Sequence, residues 1–212
     1  TLLDKGYAYI GSDAVYYDVS KDPHYGCLSG HDLETLRSGN RSQVYKAEGK
    51  DAPEDFALWK FKREGEPSWD GPGGEGRPGW HIECSAMIHK HLGPTIDIHA
   101  GGQDLIFPHH ENEIAQSEAC HDAPLAKYWL HNAHINIDGV KLSKSLGNSI
   151  KVRDMAEVWT YPVLRYFIAQ ANYRSTINVD DESLRSAAQG LERIKNIISR
   201  LRFLLQHTEE AS

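Results

Sequence analysis

The chain has little cysteine, no long apolar run and no surplus of positive charge, and each shortage removes a class of protein. Its three cysteines, Cys27, Cys84 and Cys120, lie far apart with no paired spacing. A disulfide framework is thereby excluded, and a reducing, cytoplasmic location fits best. No stretch approaches the roughly 18 apolar residues a membrane-spanning helix needs, so no membrane partner is expected. The opening Leu2-Leu3-Asp4-Lys5-Gly6-Tyr7 resembles no signal or transit peptide. It reads as the end of a helix stopping at a glycine, and the chain is expected to be a piece of a longer protein. The net charge of −7 argues against a broadly basic nucleic-acid surface. The deficit is local: residues 1–150 hold 14 Lys and Arg against 22 Asp and Glu, whereas residues 151–212 hold 9 against 8. Nucleic-acid contact is therefore placed toward the carboxyl end.

What is present suits a globular protein. With 212 residues, 40% hydrophobic and 25% charged, the chain can bury one good core and a satellite element. Residues 7–19 alternate aromatic and β-branched side chains around Gly11-Ser12-Asp13, the pattern of a β-hairpin. A short helix is expected near residues 32–36, a polar connection over 38–55 and a strand at Phe56–Phe61. Six glycines between Gly65 and Gly79, with Pro67, Pro72 and Pro78, predict a shaped loop without a regular element. Helices are then expected at Trp80–His91 and Pro108–Cys120, and strands at Thr95–Ala100 and Trp129–Ile137. This alternation predicts half of a parallel sheet with crossovers. After Asn148 the pattern becomes helical, over residues 152–171 and 181–206. In the second of these Leu184, Ala188, Leu191, Ile194, Ile198, Leu201 and Leu205 share a face.

Two clusters carry chemistry. His109 and Glu113 are four apart on an expected helix and can reach one ion, and Cys84 arrives from the preceding helix. A thiolate, an imidazole and a carboxylate suit Zn²⁺ better than Mg²⁺ or Ca²⁺, which favour oxygen. The plain alternative is a buried cysteine beside an ordinary polar helix, and His110 reaches Glu113 at three residues' spacing just as well. The second cluster, Lys141-Leu142-Ser143-Lys144-Ser145-Leu146-Gly147-Asn148, follows a strand and turn. Two lysines among serines form a cationic loop that can gather phosphate oxygens, unless it is simply a solvated turn.

Lys141 to Ser145 resembles the KMSKS signature of class I aminoacyl-tRNA synthetases, with Leu142 for the usual methionine. The blocks Gly79-Trp80-His81-Ile82-Glu83-Cys84-Ser85-Ala86-Met87 and Phe107-Pro108-His109-His110-Glu111-Asn112-Glu113 are similar to those of cysteinyl-tRNA synthetases, in the same order and separation. The resemblance spans essentially the whole chain. It implies an α/β fold: the second half of a Rossmann-like parallel sheet with part of an insertion domain, followed by an α-helical stem-contact region. The implied boundaries are 1–64 for the insertion, 65–150 for the nucleotide-binding half and 151–212 for the helical region. It implies one Zn²⁺ per chain on Cys84, His109 and Glu113, with a fourth cysteine ligand elsewhere and His110 as a neighbour. It also implies ATP with Mg²⁺ as substrate, bound by Lys141, Ser143, Lys144 and Ser145, with Lys144 and Lys141 as catalytic cations. It further implies that Trp80 lines the amino-acid pocket, that Asp104 holds the substrate ammonium and that His81 and His99 face the site. The other partners implied are L-cysteine and tRNA(Cys).

The implied reaction forms cysteinyl-adenylate from ATP and then transfers the cysteinyl group to a tRNA ribose hydroxyl. Arg185, Arg193, Lys195, Arg200 and Arg202 are candidates for contact with the tRNA backbone. The family's HIGH signature does not occur among the 212 residues, which predicts that this chain alone does not form adenylate. Competing readings are a ligase joining cysteine to an amino sugar and a non-catalytic relative that binds zinc or tRNA.

Overall fold

The computed structural model describes residues 1–31, 49–137, 139–141 and 151–208. The expected hairpin is formed by β1 (Ala8–Ile10) and β2 (Ala14–Tyr17), antiparallel, with Tyr9 opposite Tyr16. β2 also pairs with β3 (Phe56–Phe61), so it is a central strand and all of its residues are buried. Successive side chains point to opposite faces. Tyr16 stacks on Tyr9 at 5.8 Å, while Tyr17 stacks on Phe56 at 4.9 Å.

Residues 65–79 are not wholly irregular, contrary to the sequence reading. Gly76–Pro78 form a fourth strand, β4, antiparallel to β3. Its composition is tolerated because β4 lies at the sheet's edge, where proline's missing donor has no outer partner to lose. Gly76 is required by close approach: a Cβ there would lie 2.2 Å from the Lys60 carbonyl oxygen.

Helix α1 (Trp80–Leu92) ends at Gly93, whose φ of 94° only glycine adopts freely. Strand β5 (Ile96–Gly102) follows and pairs with β6 (Ala126–Asn132). Between them the helix expected from Pro108 is regular only from Glu111, as α2 (Glu111–His121). Ile106–His110 instead form a wide, kinked turn in which Phe107 is extended, with φ −133° and ψ 131°. Pro108 explains this, because proline pushes the residue before it out of the helical region. Tyr17, Val19, Tyr25, Phe56, Leu58 and Ala115 make the core of this part, with Ile82 and Phe107 packed against it.

The chain divides into two compact units, Thr1–Leu130 and His131–Ser212. In the second, β7 (Ile135–Ile137) pairs antiparallel with β8 (Val140–Lys141) and parallel with β9 (Ile177–Val179). The single strand expected over 129–137 is thus two strands, β6 and β7. The helix expected over 152–171 is likewise two, α3 (Val152–Val158) and α4 (Tyr161–Gln170). Trp159 and Thr160 between them are extended, and Pro162 sits in the first turn of α4. Helix α5 (Asp181–Thr208) packs on α4 and β9 through Leu184 and Ala187. Its apolar stripe is covered only at the amino-terminal end: Leu184 is 3% exposed and Leu205 70%. The reason is length, since α5 at about 1.5 Å per residue runs far beyond the 10-residue α4.

The expected helix near residues 32–36 and most of the 38–55 connection lie outside the described residues.

Candidate metal centre

Gly79 starts the site. A Cβ on it would meet the Ala57 carbonyl oxygen at 2.0 Å, so glycine lets α1 begin directly against β3. The first turn of α1 then presents Trp80 and His81, and Cys84 follows one turn later on the same side. Ser85, beside it, is buried and accepts a hydrogen bond from Gln116 Nε2 at 2.6 Å. This joint ties α1 to α2.

Helix α2 buries polar residues to a degree unusual for a helix. Glu111, Asn112, Glu113, Gln116 and Ser117 are all inaccessible. Burial of such groups is costly unless each finds a partner. Glu111 accepts backbone N–H groups from Gly26, Leu28 and Ser29, and Asn112 accepts the Tyr25 hydroxyl at 2.5 Å. These bonds fix the start of α2, and with it the positions of His109 and Glu113.

The ligand atoms of Cys84, His109 and Glu113 all lie within 4.8 Å of one another. Those of His99, His110 and Glu113 form a second such group, the other one found among the described residues. Glu113 is shared. Its Oε2 meets His99 Nε2 at 2.5 Å, and its Oε1 lies 2.8 Å from His109 Nε2. Despite that proximity Oε1 is a buried oxygen with no hydrogen bond, because the His109 ring nitrogen is not aimed along it. Cys84 offers its sulfur within 4.8 Å of a ligand atom of each residue. Such an arrangement suits a cation.

The electrostatics agree. Burial pushes the Cys84 thiol up to about 11, with the Glu113 charge adding to it. Burial, aided by the charge of His109, pushes His81 down to about 4, so that ring is neutral. Burial alone would raise the Glu113 carboxyl, but its hydrogen bond to His99 and the charges of His99, His109 and His110 hold it below its usual value. A cation among these groups would reverse the load on Cys84 and draw off its proton. A sulfur, an imidazole nitrogen and a carboxylate oxygen are a zinc donor set, so the residues fit the metal.

Trp80, itself 58% exposed, stacks on His109 at 4.4 Å and forms an open wall. His99 and His110 pack on Trp129 at 4.7 and 5.1 Å. Asp104 is exposed on the short turn Gln103–Leu105 after β5. Lys141 ends β8, in the second unit. Ser143, Lys144 and Ser145 lie outside the described residues.

The family model described as "tRNA synthetases class I (C) catalytic domain" matches residues 1–189. The chain belongs to this family. A cysteine--tRNA ligase of Clostridioides difficile (strain 630) is 53% identical over 210 residues, covering 99% of this chain and 45% of that protein. That of Geobacillus sp. (strain WCH70) is 55% identical over 206 residues, covering 97% and 44%. That of Thermococcus onnurineus (strain NA1) is 50% identical over 210 residues, covering 99% and 44%. The chain thus spans less than half the length of these relatives. A solved ternary complex of an Agrobacterium radiobacter K84 LeuRS superposes at a TM-score of 0.49 with 16% identity, over 63% of this chain and 21% of that one.

As a class I synthetase catalytic domain the chain has the α/β fold expected of it. No helix among the described residues is long and apolar enough to cross a membrane.

Sequence reasoning did not find Glu111, Asn112 and Gln116 as structural partners. The run Glu111-Asn112-Glu113 looks like a solvated helix start, and nothing in its spacing reveals that the loop after β2 covers it.

Proposed function

We propose that the chain is the carboxyl-side part of the catalytic region of a cytoplasmic cysteine–tRNA ligase. In this reading Cys84, His109 and Glu113 hold one Zn²⁺ and select the cysteine thiol. The observation that carries it is the grouping of these three ligand atoms within 4.8 Å of one another, with Glu113 Oε1 buried and unbonded. When bound, zinc supplies a soft Lewis acid that takes a thiolate far better than a hydroxyl, which separates cysteine from serine in one step.

The remaining roles belong to the chain's own side chains. Trp80, exposed on one face and stacked on His109, walls the amino-acid pocket. Asp104, exposed on the turn after β5, holds the substrate ammonium. His99 fixes one oxygen of Glu113, and His81 lines the same pocket. Lys141, Ser143, Lys144 and Ser145 bind ATP as its Mg²⁺ complex, with the lysines neutralising charge at the α-phosphate. Adenylate formation is followed by transfer to tRNA(Cys), whose stem meets the helical region after residue 150. The domain boundaries at 64 and 150 belong to this reading too.

Elemental analysis of the purified chain beside Cys84→Ala tests the centre. About one zinc per chain, lost in the variant, is the expected result, and a metal-free parent chain would sink the zinc reading. Because only one of the two nucleotide signatures is present, ATP–pyrophosphate exchange is expected from a protein supplying both and not from this chain alone.

A further inference from the structure

We infer that His81 is a positioning residue that accepts the Nδ1 proton of His109 and thereby reserves the Nε2 lone pair of His109 for the metal. The inference rests on the zinc reading above and assigns His81 a task within it.

The two rings meet through their Nδ1 atoms, 2.8 Å apart. Only one proton fits between two nitrogens at that distance, so with both rings neutral, as a metal-ligating His109 must be, the pair has two arrangements. In one, His109 donates from Nδ1 and its Nε2 carries a lone pair. In the other, His81 donates, and His109 must bear its proton on Nε2.

The surroundings choose between them. With a proton on Nε2, His109 would point a donor at the nearest acceptor, Glu113 Oε1 at 2.8 Å. That oxygen is buried and makes no hydrogen bond, so the second arrangement would leave a donor and an acceptor side by side and misaligned, each unsatisfied. The first leaves two lone pairs, on Nε2 and Oε1, and the Cys84 sulfur lies within 4.8 Å of a ligand atom of each residue, which is what a cation requires. A ligating histidine needs its other nitrogen held in this way, and the usual holder is a carboxylate or a carbonyl. Here a second imidazole does it, and its own orientation is fixed. His81 is wedged edge-on against Phe56 at 90° and lies beside Trp80 at 5.4 Å. A neutral holder adds no charge next to the ion, so Glu113 and Cys84 keep the whole of the charge balance.

The test has two parts. Long-range proton–nitrogen NMR on the unsubstituted protein reads the His109 tautomer directly, and a proton on Nδ1 is expected both without and with zinc. Zinc affinity, measured by competition with a chromophoric chelator, is expected to fall about 10–100-fold in His81→Phe. It should recover most of that in His81→Asn, whose amide oxygen stands where Nδ1 stood. A proton on His109 Nε2, or unchanged affinity in His81→Phe with zinc still bound by the unsubstituted protein, overturns this inference alone. Loss in both variants without rescue by asparagine also overturns it, since packing would then be the only role of His81. No zinc binding by the unsubstituted protein overturns the metal reading and takes this inference with it.

Discussion

Glu111 Oε1 accepts the backbone N–H of Gly26 at 2.9 Å, joining residues 85 positions apart in the sequence. The other carboxylate oxygen accepts Ser29 N–H at 2.8 Å, so one buried side chain organises the loop after β2 and fixes the start of α2. Glu111→Ala leaves these donors unpaired and should cost roughly 3 kcal/mol, with Glu111→Gln milder because one acceptor remains. Urea unfolding of the two variants checks this, and equal stability of Glu111→Ala and the parent would contradict it.

Gly101→Ala should damage the centre without touching a ligand. A Cβ at Gly101 would lie 2.7 Å from His110 Cε1 and 3.1 Å from a Leu105 methyl. His110 is buried against Trp129 and next in sequence to His109, so it cannot yield freely. About 1–3 kcal/mol of destabilisation is expected, together with weaker zinc binding. A variant that keeps both stability and zinc affinity would show that His110 moves more easily than its packing implies.

Acid sensitivity should be traceable to a ring pair that includes none of Cys84, His109 and Glu113. His89 in the last turn of α1 and His121 at the end of α2 stack at 3.9 Å with their planes 14° apart. Burial, then the charges of His89 and Lys5, hold His121 below its ordinary value of 6.5, with Asp122 opposing. The unfolded chain therefore takes up this proton first, and stability rises with pH. The contribution is intact above about 6.5 and is lost as pH falls below it. His121→Phe keeps a stacked ring and removes the titration, so the loss of stability between about pH 7.5 and about pH 5.5 should shrink. An unchanged pH slope in this variant would refute the assignment.

The basic residues of α5 should act on tRNA through its backbone. Arg193 and Arg200 are exposed, and neither belongs to the packed first turns around Leu184. Replacing both with alanine should weaken binding uniformly across tRNA sequences and lower the logarithmic salt slope by about one per arginine. Filter-binding titrations over a range of salt concentrations measure this, and an unchanged slope would remove α5 from the interface.

The grouping of Cys84, His109 and Glu113 was legible before any coordinates because its logic is local. His109 and Glu113 share a helix face, and Cys84 sits in a named block whose separation from them is characteristic. The α/β order was legible for a related reason, since glycines and prolines mark where each element stops. Boundaries failed where neighbours override local preference. β4 exists only because β3 offers it an edge, α3 and α4 separate where Trp159 and Thr160 extend, and α2 starts late because Pro108 constrains Phe107.

The sequence by itself determined which donor atoms are available and in what order along the chain, because residue identity and helical spacing are properties of the chain alone. Which lone pair faces which was decided only by the fold. His81 meets His109 across 28 residues, and His99 meets Glu113 from a separate strand. Such contacts depend on where α1, β5 and α2 pack, and packing is a property of the whole core that no single segment encodes.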